Sequence, residues 1–113
     1  MANTFKLKTD TAVGTTLTSV YTVPAATTTV MIGAVLANIL ASQIKVDVKI
    51  VTASSAGENA NDVYLVKDLP IPNGSSFELI EGKVVLETGD IVKVESDTAS
   101  SLDVALSVLE QGP

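Results

Sequence analysis

From Ile44 to Ile50 apolar and charged residues alternate without a break: Ile44, Val46, Val48 and Ile50 on one side, Lys45, Asp47 and Lys49 on the other. Successive side chains of a β-strand point to opposite faces, so this stretch predicts a strand with one wet face. "LDVALSVLE" repeats the pattern near the end, with Leu102, Val104, Leu106 and Val108 sharing a face. Upstream, "NTFKLKTD" alternates around Phe5 and Leu7. In "TLTSVYTVP", Leu17, Ser19 and Tyr21 oppose Thr18, Val20 and Thr22. Pro24 closes that strand because it has no N–H to give to a ladder.

Turn signals separate these runs at intervals of roughly ten residues, the spacing of an all-β sandwich or barrel. Gly14, the polar run Thr52–Asp62, "NGSS" at 73–76, "TGD" at 88–90 and "DTASS" at 97–101 are the clearest. Asn-Gly readily takes a positive φ, which gives the 73–76 turn a mechanism. Pro70 and Pro72 in "VYLVKDLPIP" stop a ladder or place its end at a sheet edge. "FELIEGKVVLE" reads as strand, tight turn at Glu81-Gly82, and strand.

The ambiguous segment is Val30 to Ala41, which is almost unbroken apolar sequence. It is far short of the roughly 20 residues a membrane-spanning helix needs. Ile32, Leu36, Ile39 and Leu40 sit at helical spacing, so a short helix is a rival. The β-branched run from Thr27 and the interrupting Gly33 make a poor helix, and Asn38 to Ser42 supplies turn residues before a clear strand. Two strands joined around 38–42 are favoured. The expectation is an all-β, antiparallel β-sandwich of eight or nine short strands forming one domain over residues 1–113. Whether its strand order is that of a jelly roll or of an immunoglobulin-like sandwich stays open.

Composition narrows the function more than the fold. The 113 residues are 46% hydrophobic, with a mean hydropathy of +0.40, enough apolar surface for a real core. Phe5, Tyr21, Tyr64 and Phe77 are the whole aromatic complement, so that core is aliphatic. There is no Cys, His, Trp or Arg, and the formal net charge is −6. Usual nucleophile systems need an imidazole or thiol partner, and neither exists here. Scattered lysines in an acidic chain argue against phosphate tracking, so nucleic acid is not an expected partner. Neither a membrane nor a cofactor is expected. "MANTFKLKTD" lacks the apolar core of a signal peptide, which points to synthesis in the cytoplasm.

Paired carboxylates could serve a glycosidase, but Asp47, Glu78, Glu87, Glu95 and Asp103 fall where alternating strands face water. They are expected to solubilise the surface, and the chain is read as a non-enzyme with no catalytic or metal residues. Glu58, Asn59, Asn61 and Asp62 in "GENAND" are oxygen donors of the kind Ca²⁺ takes, without EF-hand spacing. Ile39 and Leu40 are the partner-contact candidates, because they place apolar side chains where the chain reverses. Exposed, they would mark a subunit contact, and changing both to Ser would give a soluble monomer of unchanged stability. Folded inward, they would belong to the core. A sugar-binding role would rest on Tyr64 or Tyr21, both better explained as core or barrel-end residues.

"VGTTLTSVYTVPAATTTVMIGAVLAN" resembles the front of small β-sandwich structural proteins of tailed bacteriophages, common among phages of marine bacteria. In that family a Thr-rich strand runs into "VYTVPA" and the next strand reads "IGxxLAN". The matching residues are Val20 to Ala25, then Ile32, Gly33, Leu36, Ala37 and Asn38. "YLVKDLPIPNGSSFEL" and "KVVLETGDIVKVESDTASSLDVALSVLE" are similar to its middle and closing segments, so the likeness spans Val13 to Glu110. The turn at 39–42 and the loop at 57–62 depart from it. The resemblance implies a virion structural component made in the host cytoplasm. It would be a homo-oligomeric capsid decoration or cement subunit, or a small neck or tail piece, touching other virion proteins. The alternative is a carbohydrate- or receptor-binding module at a fibre or surface.

Overall fold

β-Branched and aliphatic residues at period two do form strands throughout. A computed structural model describes residues 3–53, 61–79 and 83–112. It contains β1 (Asn3–Val13), β2 (Thr18–Thr22), β3 (Thr28–Asn38), β4 (Ile44–Val51), β5 (Val63–Ile71), β6 (Ser76–Glu78), β7 (Val84–Leu86), β8 (Ile91–Ser96) and β9 (Leu102–Gln111). Among the described residues there is no helix. The strands make two antiparallel sheets packed face to face. The first has the order β1-β9-β3-β6, with β7 also on β3, and the second runs β2-β8-β4-β5.

The edge formed by β6 and β7 corrects one expectation. Ser76–Glu78 pairs with Val35–Ala37 of β3, and Val84–Leu86 pairs with Thr29–Met31 further along the same side. Both are antiparallel to β3, so β6 and β7 run in the same direction and are not the two arms of a hairpin. The expected Glu81-Gly82 turn lies outside the described residues. Counted as one interrupted edge strand, β6 and β7 leave eight positions in two four-stranded sheets, the order of a jelly roll. Among the described residues, β4 and β5 are the only successive strands that pair directly, and most other connections cross between the sheets.

The run at Val30–Ala41 becomes most of β3 and the turn after it. Met31, Ala34 and Leu36 point into the core against Val108, Leu106 and Val104 of β9. Asn38, 3% exposed, builds the reversal. Its side-chain amide donates to the carbonyls of Ser42 (2.8 Å), Ile71 (3.0 Å) and Pro72 (3.2 Å), while its Oδ1 accepts the Leu40 N–H at 2.9 Å. Pro70 sits in β5, an edge strand, as its missing donor requires. Gly74 (φ +66°) and Gly89 (φ +89°) occupy turn positions where a side chain would be strained. The core between the sheets is aliphatic, and Tyr21 is the one aromatic fully inside it among the described residues.

Candidate assembly surface

The two partner-contact candidates part company. Ile39 is 48% exposed, whereas Leu40 is half-buried and packs against the core. They do not form a joint exposed patch, because the Asn38 turn directs one outward and the other back. Of "GENAND", only Asn61 and Asp62 fall within the described residues; Asp62 Oδ1 accepts the Thr52 N–H at 3.0 Å, at the base of that loop.

Of the carboxylates expected in water, Glu78 is exposed and Glu87, Glu95 and Asp103 partly so, while Asp47, Glu78 and Asp103 also accept backbone N–H groups. Asp47 is 8% exposed, contrary to the alternation of its strand. Opposite it, β5 carries two residues, Lys67 and Asp68, between the pairs Val46↔Leu69 and Val48↔Val66. This is a β-bulge, with Asp68 at φ +54°. Asp47 Oδ1 accepts the Asp68 N–H at 2.7 Å and Oδ2 accepts Lys67 Nζ at 3.0 Å, so the side chain clamps the bulge. Burial opposes ionisation of Asp47, but the Asp68 N–H, Lys67 and Glu95 outweigh it and hold the carboxyl below its ordinary value. Glu78 accepts the Ala34 N–H at 2.9 Å, and Asp103 accepts the Thr11 hydroxyl at 2.7 Å and the Ala12 N–H at 3.0 Å.

Tyr21 and Glu110 form a second buried polar group. The Tyr21 hydroxyl donates to Glu110 Oε2 at 2.6 Å and lies 2.8 Å from Thr29 Oγ1; Lys6 Nζ is 2.9 Å from Glu110 Oε1. Burial, then the neighbouring carboxylate, pushes the Tyr21 hydroxyl up to about 12. The Tyr21 hydroxyl and Lys6 hold Glu110 below its ordinary value. These contacts fix structure and place no free nucleophile beside a base. Among the described residues, no group of three or more acidic side chains is gathered as a metal cage. Tyr64, 45% exposed, has its ring covered by Lys67 Nζ at 5.0 Å and Lys49 Nζ at 5.3 Å from the centroid.

The feature that alternation alone did not show is β1. Its register places Lys6, Lys8 and Asp10 opposite Val108, Leu106 and Val104, the core side of β9. Phe5 and Leu7 therefore point away from the core and are 73% and 64% exposed. They join Leu109, Ile32, Val35 and Val85 on the outer face of the first sheet, where the last three are exposed as well. The outer face of the second sheet has the opposite character. There Lys49 stands opposite Lys93 and Asp47 opposite Glu95. One sheet thus shows charge to its surroundings and the other apolar side chains.

No protein-family model matches this sequence, and no curated protein matches it. Among solved structures, a chain from Bacillus endospore appendages, described as a novel family of disulfide-linked pili, matches with a TM-score of 0.51. The match covers 98% of this chain and 87% of that one at 12% identity. At that identity the likeness is one of fold: this chain shares the β architecture of a pilus structural protein.

Proposed function

We propose that this chain is a non-enzymatic virion structural subunit of a tailed phage, a capsid decoration or cement protein or a small neck or tail piece. It acts as a homo-oligomer through contacts with its own copies and with other virion proteins. The observation that carries the reading is the apolar outer face of the first sheet. A soluble domain that holds Phe5, Leu7 and Val85 at 73%, 64% and 63% exposure in one sheet face has a surface suited to a partner. Three further points support it. Polar groups near the core are engaged in holding bulges, turns and the Tyr21 cluster. The sequence resembles phage structural proteins from Val13 to Glu110. The fold is also that of a protein that builds pili. Since this chain has no cysteine, its copies are not joined to one another by disulfides. A net charge of −6 suits an outer position better than one against packaged DNA.

Electron microscopy of phage particles after addition of the purified chain, beside a glycan-binding screen, tests the reading. Density for the chain on capsid, neck or tail is the expected result. A monomer that binds glycans and never joins particles would favour the receptor-module alternative, which would need Tyr64 released from its two lysines.

A further inference from the structure

We infer that the outer face of the β1-β9-β3 sheet is the site at which a second copy of this chain docks, face to face about a two-fold axis. The inference rests on the assembly reading above and names its surface, its partner and its symmetry.

The first ground is that the register leaves no slack. A one-residue slip of β1 would turn Phe5 and Leu7 to the side that Lys6 and Lys8 now occupy. The observed phase is held by the Lys6–Glu110 ion pair at 2.9 Å and by Lys8 Nζ, 5.9 Å from the Tyr21 ring centroid. Two large apolar side chains are therefore fixed outward on a strand that could have turned them in.

The second ground is charge. Copies of a chain with net charge −6 repel one another, so self-association favours a surface where charges are not brought together. The middle of this face, the rows Phe5–Leu109–Val30, Leu7–Ser107–Gly33 and Thr9–Ala105–Val35, carries no ionisable side chain. The carboxylates at its border, Glu78 and Asp103, already accept backbone N–H groups. A partner recruited by charge would meet the banded lysines and carboxylates of the other sheet.

The third ground is shape and size. Beside Phe5 and Leu7 lies a hollow of about 360 Å³ over Ser107, and next to it one of about 420 Å³ over Ala37 and Ala105. A face with projections and hollows side by side can fit a rotated copy of itself, as an isologous interface requires. β3 and β1 have 11 residues each and β9 has 10. With strands about 35 Å long and three positions about 4.8 Å apart, the face spans about 500 Å². A standard interface takes about 800 Å² from each partner, so the face supplies most of one.

Sedimentation equilibrium on the wild type, the double variant Phe5→Ser/Leu7→Ser, Ala105→Glu and the control Lys93→Glu tests the proposal. Wild type and Lys93→Glu should self-associate alike. The double variant should associate about 100-fold more weakly, as expected for loss of two interface anchors, with the wild type's melting temperature at concentrations where both are monomers. If the double variant folds poorly, Ala105→Glu decides, because it leaves both anchors in place and sets like charges together at the centre of the face. Wild-type association that persists in Ala105→Glu and in a folded double variant would overturn the docking face while leaving the assembly reading intact. A wild type that stays monomeric at millimolar concentration would overturn both.

Discussion

Replacing Tyr21 by Phe keeps the ring in the core and removes one oxygen. The lost contacts are the donation to Glu110 at 2.6 Å and the interaction with Thr29 at 2.8 Å. Glu110 is 8% exposed and would keep Lys6 but lose the donor on its second oxygen. A hydrogen bond to a charged acceptor contributes about 1.5–3 kcal/mol, so Tyr21→Phe should cost about 2 kcal/mol at neutral pH. For a chain of this size that is a fall of about 8 °C in melting temperature. The pH dependence adds a signature that a packing defect would not produce. Tyr21 first and Lys6 second depress the folded-state value of Glu110, so its contribution is present above the unfolded glutamate range near pH ~4.3 and lost as pH falls through the depressed value. The Tyr21 hydroxyl, raised to about 12 by burial and then Glu110, contributes below its unfolded value near pH ~10 and loses that contribution as pH rises through about 12. The stability difference between wild type and variant should therefore be flat from about pH 6 to 9 and narrow at both extremes. Circular-dichroism melts from about pH 3 to about pH 12 measure it. A difference below about 0.5 kcal/mol at neutral pH, or one constant from acid to alkali, would refute the argument.

Other substitutions probe the remaining devices. Asn38→Ala removes three donations to carbonyls and one acceptor for Leu40, and should cost about 2–3 kcal/mol in a urea titration. Gly89→Ala combines a φ of +89° with a Cβ only 2.9 Å from Ala53 Cβ, so it should destabilise more than Gly74→Ala, whose Cβ meets nothing within 4 Å. Ile39→Ser should change stability by less than about 0.5 kcal/mol and Leu40→Ser should cost about 1–2 kcal/mol, because only Leu40 packs on the core. Asp47→Ala should reduce stability and flatten its fall on acidification, since the depressed Asp47 contributes above its unfolded range and loses that contribution as pH falls.

Much of this fold is legible in the sequence, and the gaps have physical causes. Period-two patterning marked β4 and β9, and Asn73-Gly74 and Gly89-Asp90 marked real turns, because these signals are local. Strand order was not legible, since among the described residues β4–β5 is the only direct pairing of successive strands and the rest depends on distant partners. The same cause hid the collinear β6 and β7, whose alignment is set by β3. Asp47 misled because a bulge on the neighbouring strand, invisible in its own alternation, brings the Asp68 N–H and Lys67 over its carboxylate. For β1 the alternation itself was plain but its phase was not. Which face of β1 turns inward is decided by a distant partner, since Glu110 receives Lys6 on the inner side. That inverted phase carries the assembly surface, and Ile39 and Leu40, the apolar residues the sequence does advertise, lie at a turn.

The central claim is that this jelly roll works by associating with copies of itself, and its mass in solution tests that most directly. Sedimentation equilibrium from micromolar to millimolar concentration should show the weight-average mass rising from the 11.7 kDa of one chain to a multiple of it. A mass that stays at one chain over the whole range would contradict the account.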